Sequence, residues 1–258
     1  LPMLVRLNPI EARGKCRIHY RQELDRITRP PAPMQINSRY VRLPDRIVIT
    51  DAWLYLFGWF AAEGFSSLAP GKSRFVSFSG HRKERDILKR IAGMLSRLGI
   101  KSTIYSKKGT KGIELRAYSG ELALWFREWF GHGARNKKLP TDLLTLPPSQ
   151  AKAFLRGYTD GDGYYRKAQV EWVSASKTLC YQMCLLAIRS GFIPTMRLVI
   201  HPKQRTQHWI GSYTTDAHPS DKRLNDQDER FIYRPIRRVS TFYARVPVYD
   251  LEVKNDHS

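Results

Sequence analysis

The sequence predicts an α+β fold made of two related halves. Three observations carry that expectation. Gly58, Ala62, Glu63 and Gly64 match Gly157, Gly161, Asp162 and Gly163 at a constant offset of 99, the self-similarity of a duplicated unit. Helical and strand-like periods run through once and then restart. Hydrophobic residues make up 42% of the 258 residues, enough to bury a core.

The elements follow in order. Residues 1–50 are basic and contain RPPAP at 29–33, a linker or surface arm. DAWLYLFGWFAAEG (51–64) reads as a buried helix, with Asp51 as N-cap and Gly64 as stop. RFVSFS (74–79) reads as a strand. ERDILKRIAGMLSRLG (84–99) carries Ile87, Leu88, Ile91, Leu95 and Leu98 at helical spacing. STIYSKK (102–108) and IELRAYS (113–119) are strand-like and flank the turn-like GTKG. SGELALWFREWF (119–130) is an amphipathic helix whose cap at Ser119 is only half made, with Glu121 in the first turn.

The second pass opens with PPSQAKAFLRGYTDGDG (147–163), a helix with its prolines at the start, where a missing N–H costs little. Strand-like YYRKAQVEWVS, the helix SKTLCYQMCLLAIRSG (176–191) and the strands TMRLVIH and HWIGSYT follow. Residues 215–230 are polar and read as an exposed loop. The closing stretch is rich in β-branched and aromatic residues.

Charge narrows the function. Lys plus Arg is 44 against 23 Asp plus Glu, a net +21. The excess is spread along the chain among Tyr, Trp and Phe, which points to a polyanion bound by the fold itself. A ribosome-like structural role would also use such charge. A membrane role fits poorly, because no apolar run approaches the roughly 18 residues needed to span a bilayer. Cys16, Cys180 and Cys184 include no C-x-x-C pair, and Cys180 and Cys184 share a helix face as small apolar residues. This usage, with no signal peptide, leads to an intracellular expectation.

The repeat carries the chemistry. Gly58 with Ala62, and Gly157 with Gly161, put small residues at i and i+4, so two helices could approach closely along that face. Glu63 and Asp162 would then meet at the base of the pair. Each carboxylate lies in a last helical turn, at the negative end of the macrodipole, and the two repel one another. A divalent cation relieves both penalties. Two carboxylates, helix-end carbonyls, water and phosphate oxygens suit Mg²⁺, which can support phosphodiester hydrolysis. An EF-hand reading of DGDG fails, because Tyr158 and Gln169 would occupy the first and last ligand positions.

LFGWFAAEG (56–64) and LRGYTDGDG (155–163) resemble the paired motifs of the LAGLIDADG homing endonucleases, with the resemblance covering about residues 50 to 213. The first departs at Ala61, where the family commonly has an acid, and has Glu63 for the usual Asp. The second keeps Asp160, read as structural, beside Asp162. The resemblance implies Glu63 and Asp162 as catalytic metal ligands, with the Ala62 and Gly161 carbonyls beside them and Gly58 and Gly157 at the helix interface. NKKLPTDLL (136–144) is similar to a block in intein-type members, which implies a catalytic role for Lys137, with Lys138 next; a basic loop touching phosphate is the alternative. VPVYDLEVKNDHS (246–258) resembles an intein C-terminal strand block. No N-terminal nucleophile block or terminal His-Asn accompanies it, so splicing is not expected.

The resemblance also implies αββαββα halves whose antiparallel sheets form saddles over the DNA major groove. The implied organisation is a basic arm at 1–50, a first repeat at 51–146, a second at 147–245 and a tail at 246–258. Candidate DNA contacts are Arg74, Lys107, Lys108, Lys111, Arg116, Arg166, Lys167, Gln169, Arg197, His201, Lys203 and Arg205. Arg and Gln on strands could read bases, and loop lysines would hold phosphates. The expected protein is a monomeric, site-specific double-strand DNA endonuclease using Mg²⁺, for which Ca²⁺ or Mn²⁺ could substitute in crystals. Its target would be long and nearly asymmetric. The alternatives are a non-cleaving RNA maturase or DNA-binding regulator from the same family, and a basic structural protein with a fortuitous repeat.

Overall fold

The computed structural model describes residues 3–4, 43, 47–69, 73–200, 206–215, 226–227 and 232–233. Residues 1–216 form one unit and 217–258 another. In the second, β11 (Asp226–Gln227) pairs antiparallel with β12 (Ile232–Tyr233). In the first, β1 (Met3–Leu4) pairs with β2 (Val48–Ile49). Leu43, Ile47 and Ile49 are buried with the core, so the end of the basic arm belongs to the packed first half.

The first half then runs α1 (Asp51–Glu63), β3 (Gly64–Ser67), β4 (Phe75–His81), α2 (Arg85–Ser96), β5 (Ser102–Ser106), β6 (Gly112–Ala117) and α3 (Gly120–Phe130). The second runs α4 (Pro148–Asp162), β7 (Gly163–Arg166), β8 (Gln169–Ser174), α5 (Lys177–Arg189), β9 (Thr195–Ile200) and β10 (Gln207–Thr214). The sheets have orders β3-β4-β6-β5 and β7-β8-β10-β9, antiparallel throughout and identical in topology. This is the expected α+β duplication. A helix after β10, which would complete the second αββαββα unit, falls outside the described residues.

Some local expectations change. The N-cap of α1 is Thr50, which makes no side-chain capping bond, and Asp51 is the first helical residue. Gly64 has φ −91°, so it stops the helix by turning straight into a strand rather than through a left-handed cap. Ser119 accepts from Leu122 N at 3.2 Å, the half-cap expected. YYRKAQVEWVS is a hairpin rather than one strand. Its two-residue turn puts Lys167 at φ +51°, a left-handed conformation for a non-glycine.

Helix α1 is buried on nearly every side, as its apolar sequence requires. Phe57 and Phe60 pack into a cluster with Trp125, Phe126 and Phe130, which fixes α1 to α3. The opposite side of α1 meets α4. A Cβ on Gly58 would strike the Phe154 carbonyl oxygen, and one on Gly157 would strike that of Tyr55. Only glycine allows backbone to rest on backbone at these two points.

Candidate active site

The helix pair determines where the acids go. Beyond Gly58 and Gly157, a Cβ on Gly161 would lie 3.1 Å from Ala62 Cβ and 3.7 Å from Glu63 Cγ. The ends of α1 and α4 therefore converge, with Glu63 and Asp162 as their last residues. Each is followed at once by the edge strand of its own sheet, β3 or β7. Both acids thus sit where the sheets leave the helix pair. Among the described residues, no group of three or more His, Cys, Asp or Glu side chains gathers. The Ala61 and Ala62 carbonyls lie beside the acids as further oxygens.

Lys137 enters this place from the segment between the halves. Its Nζ donates to Ala61 O at 2.8 Å and to Ala62 O at 2.6 Å. The ammonium thus satisfies helix-end carbonyls that α1 leaves without partners. Burial lowers Lys137 to about 8, against the opposing pull of Glu63 and Asp162. Glu63 is half-buried, and desolvation raises it while Lys137 and Lys107 pull it down. Asp162 is more open to water than Glu63, yet partial desolvation of its carboxyl raises it to about 6; the Glu63 charge adds to this and Lys137 opposes. Two carboxylates thus meet at converging helix ends, beside backbone carbonyls. An all-oxygen donor set of this kind fits a hard divalent cation.

These shifts make a testable statement about the metal-free protein. Between the ordinary Asp range and about 6, the native state holds more protons at Asp162 than the unfolded chain does. Its contribution to stability is therefore present at low pH and is lost as pH rises through about 6. Asp162→Asn stays neutral throughout. In chelator, it is expected to melt above the wild type at pH 7, and the gap should close towards pH 4 (roughly the free Asp range). A gap constant over that window would contradict the assignment.

Asp160 belongs to a separate hydrogen-bond network. It accepts from Tyr55 at 2.9 Å and Tyr165 at 3.0 Å, and Arg156 lies 3.7 Å away. It ties α4 to α1 and to β7. The hydroxyl of Tyr55 gave no sequence signal, because a tyrosine in an apolar helix reads as core.

The segment carrying Lys137 is stitched to the second half. Ser176, which also caps α5, donates to Lys137 O at 2.6 Å. Gln182 accepts from Leu139 N at 2.7 Å and donates to Leu139 O at 2.9 Å. Arg189 donates to Leu146 O at 2.9 Å and Thr145 O at 3.0 Å. None of these was foreseen, since a lone polar residue on a helix looks like a solvated one.

The outward sheet faces carry Arg116, Gln169 and Arg197, and the turns beside them carry the exposed lysines. Arg116 and Glu114 alternate with buried Ile113, Leu115 and Ala117, and pair at 2.9 Å. The Arg116 guanidinium also lies over the Phe75 and Tyr105 rings, at 4.9 and 5.2 Å. Gln169 and Glu171 alternate with buried Val170, Trp172 and Ser174. Arg197 reaches Glu171 at 3.2 Å. Lys107, Lys108 and Lys111 are exposed at the β5–β6 turn, where Lys107 Nζ donates to Ser79 Oγ at 3.2 Å. Arg166 and Lys167 are exposed at the β7–β8 turn. Arg74 instead lays its side chain along Gly120, at the start of α3. His201, Lys203 and Arg205 lie outside the described residues. No helix among the described residues is long and apolar enough to cross a membrane.

Known proteins resemble this chain. The uncharacterized protein MJ0043 of Methanocaldococcus jannaschii is 27% identical over 245 residues, covering 84% of this chain and 30% of its own length. The ATP-dependent DNA helicase Hel308 of Thermococcus kodakarensis is 28% identical over 174 residues, covering 64% and 15%. The chain thus spans less than a third of the curated relatives it matches. A mesophilic variant of the homing endonuclease I-DmoI superposes with a TM-score of 0.50 at 15% identity, over 64% of this chain and 88% of that one, a likeness of fold. The family of LAGLIDADG-like domains matches residues 52–131 and again 149–230. With two copies over most of its length, meeting at paired glycine-faced helices, the chain belongs to the LAGLIDADG family.

Proposed function

We propose that the protein is a site-specific endonuclease that cuts both strands of double-stranded DNA, acting as a monomer. The observation that carries this reading is the convergence of Glu63 and Asp162 at the ends of α1 and α4, beside Lys137. The two carboxylates would hold Mg²⁺ or a similar divalent ion, with the Ala62 and Gly161 carbonyls as neighbouring oxygens, and such an ion activates water and offsets charge on the phosphodiester. Lys137 supplies a positive charge at the same place. Arg116, Gln169 and Arg197 face outward on the sheets to meet base edges, and the turn lysines meet phosphates.

The site is a single chain's own duplication, so the two cuts need no second copy. Two unequal halves suit a long, nearly asymmetric target. The matched region fills only 15% of a relative named for helicase activity, which supports an origin as an intein-type module carried in longer proteins.

Binding to duplex DNA against salt is the first test, with structured RNA as competitor. With a net charge of +21, log affinity is expected to fall linearly with log salt, with a slope of about −5 or steeper if about six phosphates are neutralised. Preference for RNA, with no cutting of DNA, would select the maturase alternative instead.

A further inference from the structure

The Lys137 ammonium already engages the helix-end carbonyls next to the two acids. It donates to the Ala62 carbonyl at 2.6 Å and to Ala61 at 2.8 Å. Glu63 follows directly in sequence, and the ammonium acts on both Glu63 and Asp162. The lysine backbone is anchored by Ser176 and its neighbourhood by Gln182, both from the second half. Only the flexible four-carbon stem is free to swing. The second half thus delivers a charged group to the helix end of the first.

We propose that Lys137 is a resident cation that competes with a divalent ion for the Ala62 carbonyl and the space beside Glu63, so that metal loading requires the ammonium to leave the α1 carbonyls. The proposal rests on the nuclease reading above. The Ala62 oxygen keeps a second lone pair, but an ammonium 2.6 Å away weakens its donation to a cation. A monovalent cation held a few ångströms from a divalent one also opposes it strongly at the effective dielectric of about 20 found near protein surfaces. An ammonium displaced in this way needs another anion, and a phosphate of bound DNA is the one the reading supplies.

The test is calorimetric titration of the metal-free full chain with Mn²⁺, without DNA. Lys137→Met, which keeps the stem and removes the charge, is expected to bind Mn²⁺ about tenfold tighter or more. Lys137→Gln keeps one donor without charge and should also tighten binding, which covers the case in which the methionine variant fails to fold. Lys137→Arg keeps the charge and should bind no tighter than the wild type. Unchanged or weaker binding in the uncharged variants overturns the proposal, as does an absence of Mn²⁺ binding in every form. The measurement reads metal heat alone. A chain that cuts DNA can therefore fail it, and a chain that does not cut can pass, which keeps the two readings separable.

Discussion

Glu63→Gln and Asp162→Asn are each expected to lower double-strand cleavage by roughly three orders of magnitude or more, the scale of losing a group at the reacting centre. Both changes preserve shape, so the helix pair should remain intact. DNA affinity should hold or rise slightly, because each removes one negative charge facing a polyanion. Single-turnover cleavage and equilibrium binding, measured on the same preparations, separate the two effects. Binding that collapses together with cleavage would point to a folding defect. Full cleavage by either variant would remove that carboxylate from the mechanism.

The second large effect is on the scaffold. Gly157→Val is expected to unfold the protein or to cost about 3 kcal/mol or more, the upper range for overpacked cores. Its Cβ would meet the backbone of Tyr55, which cannot rotate away as a side chain can. Gly58 faces the Phe154 carbonyl in the same way. Gly161→Ala should be milder, because the nearest atom is Ala62 Cβ at 3.1 Å. Urea denaturation of Gly58→Ala, Gly157→Ala and Gly161→Ala is expected to rank the last as the most stable. A reversed ranking would mean that the helices do not meet along this face.

How much of this could be read from the chain depends on what each residue interacts with. The duplication, the glycine face and the two acids were legible because they repeat at a fixed offset, and strict helical spacing keeps such residues on one side. Lys137 was visible through its neighbours in sequence, but not its reach into the Ala61 and Ala62 carbonyls, which is a contact across 75 residues and more. Ser176 and Gln182 act through backbone atoms of a distant segment, and backbone atoms leave no mark on sequence. Strand β3 was missed because GFSS has few β-branched residues, and pairing with β4 decides its state. The arginines were located, but not their partners: Glu114 and Glu171 hold Arg116 and Arg197 on the outward faces.

If the converging Glu63 and Asp162 cut DNA, the ends of the cut show it most directly. Duplex DNA carrying the locus that flanks the gene, incubated with the protein and Mg²⁺, should yield one double-strand break at a fixed position with short 3′ overhangs, the break expected of this family. The same break should be absent with Asp162→Asn. Tight binding of that DNA with both strands left intact would contradict the claim.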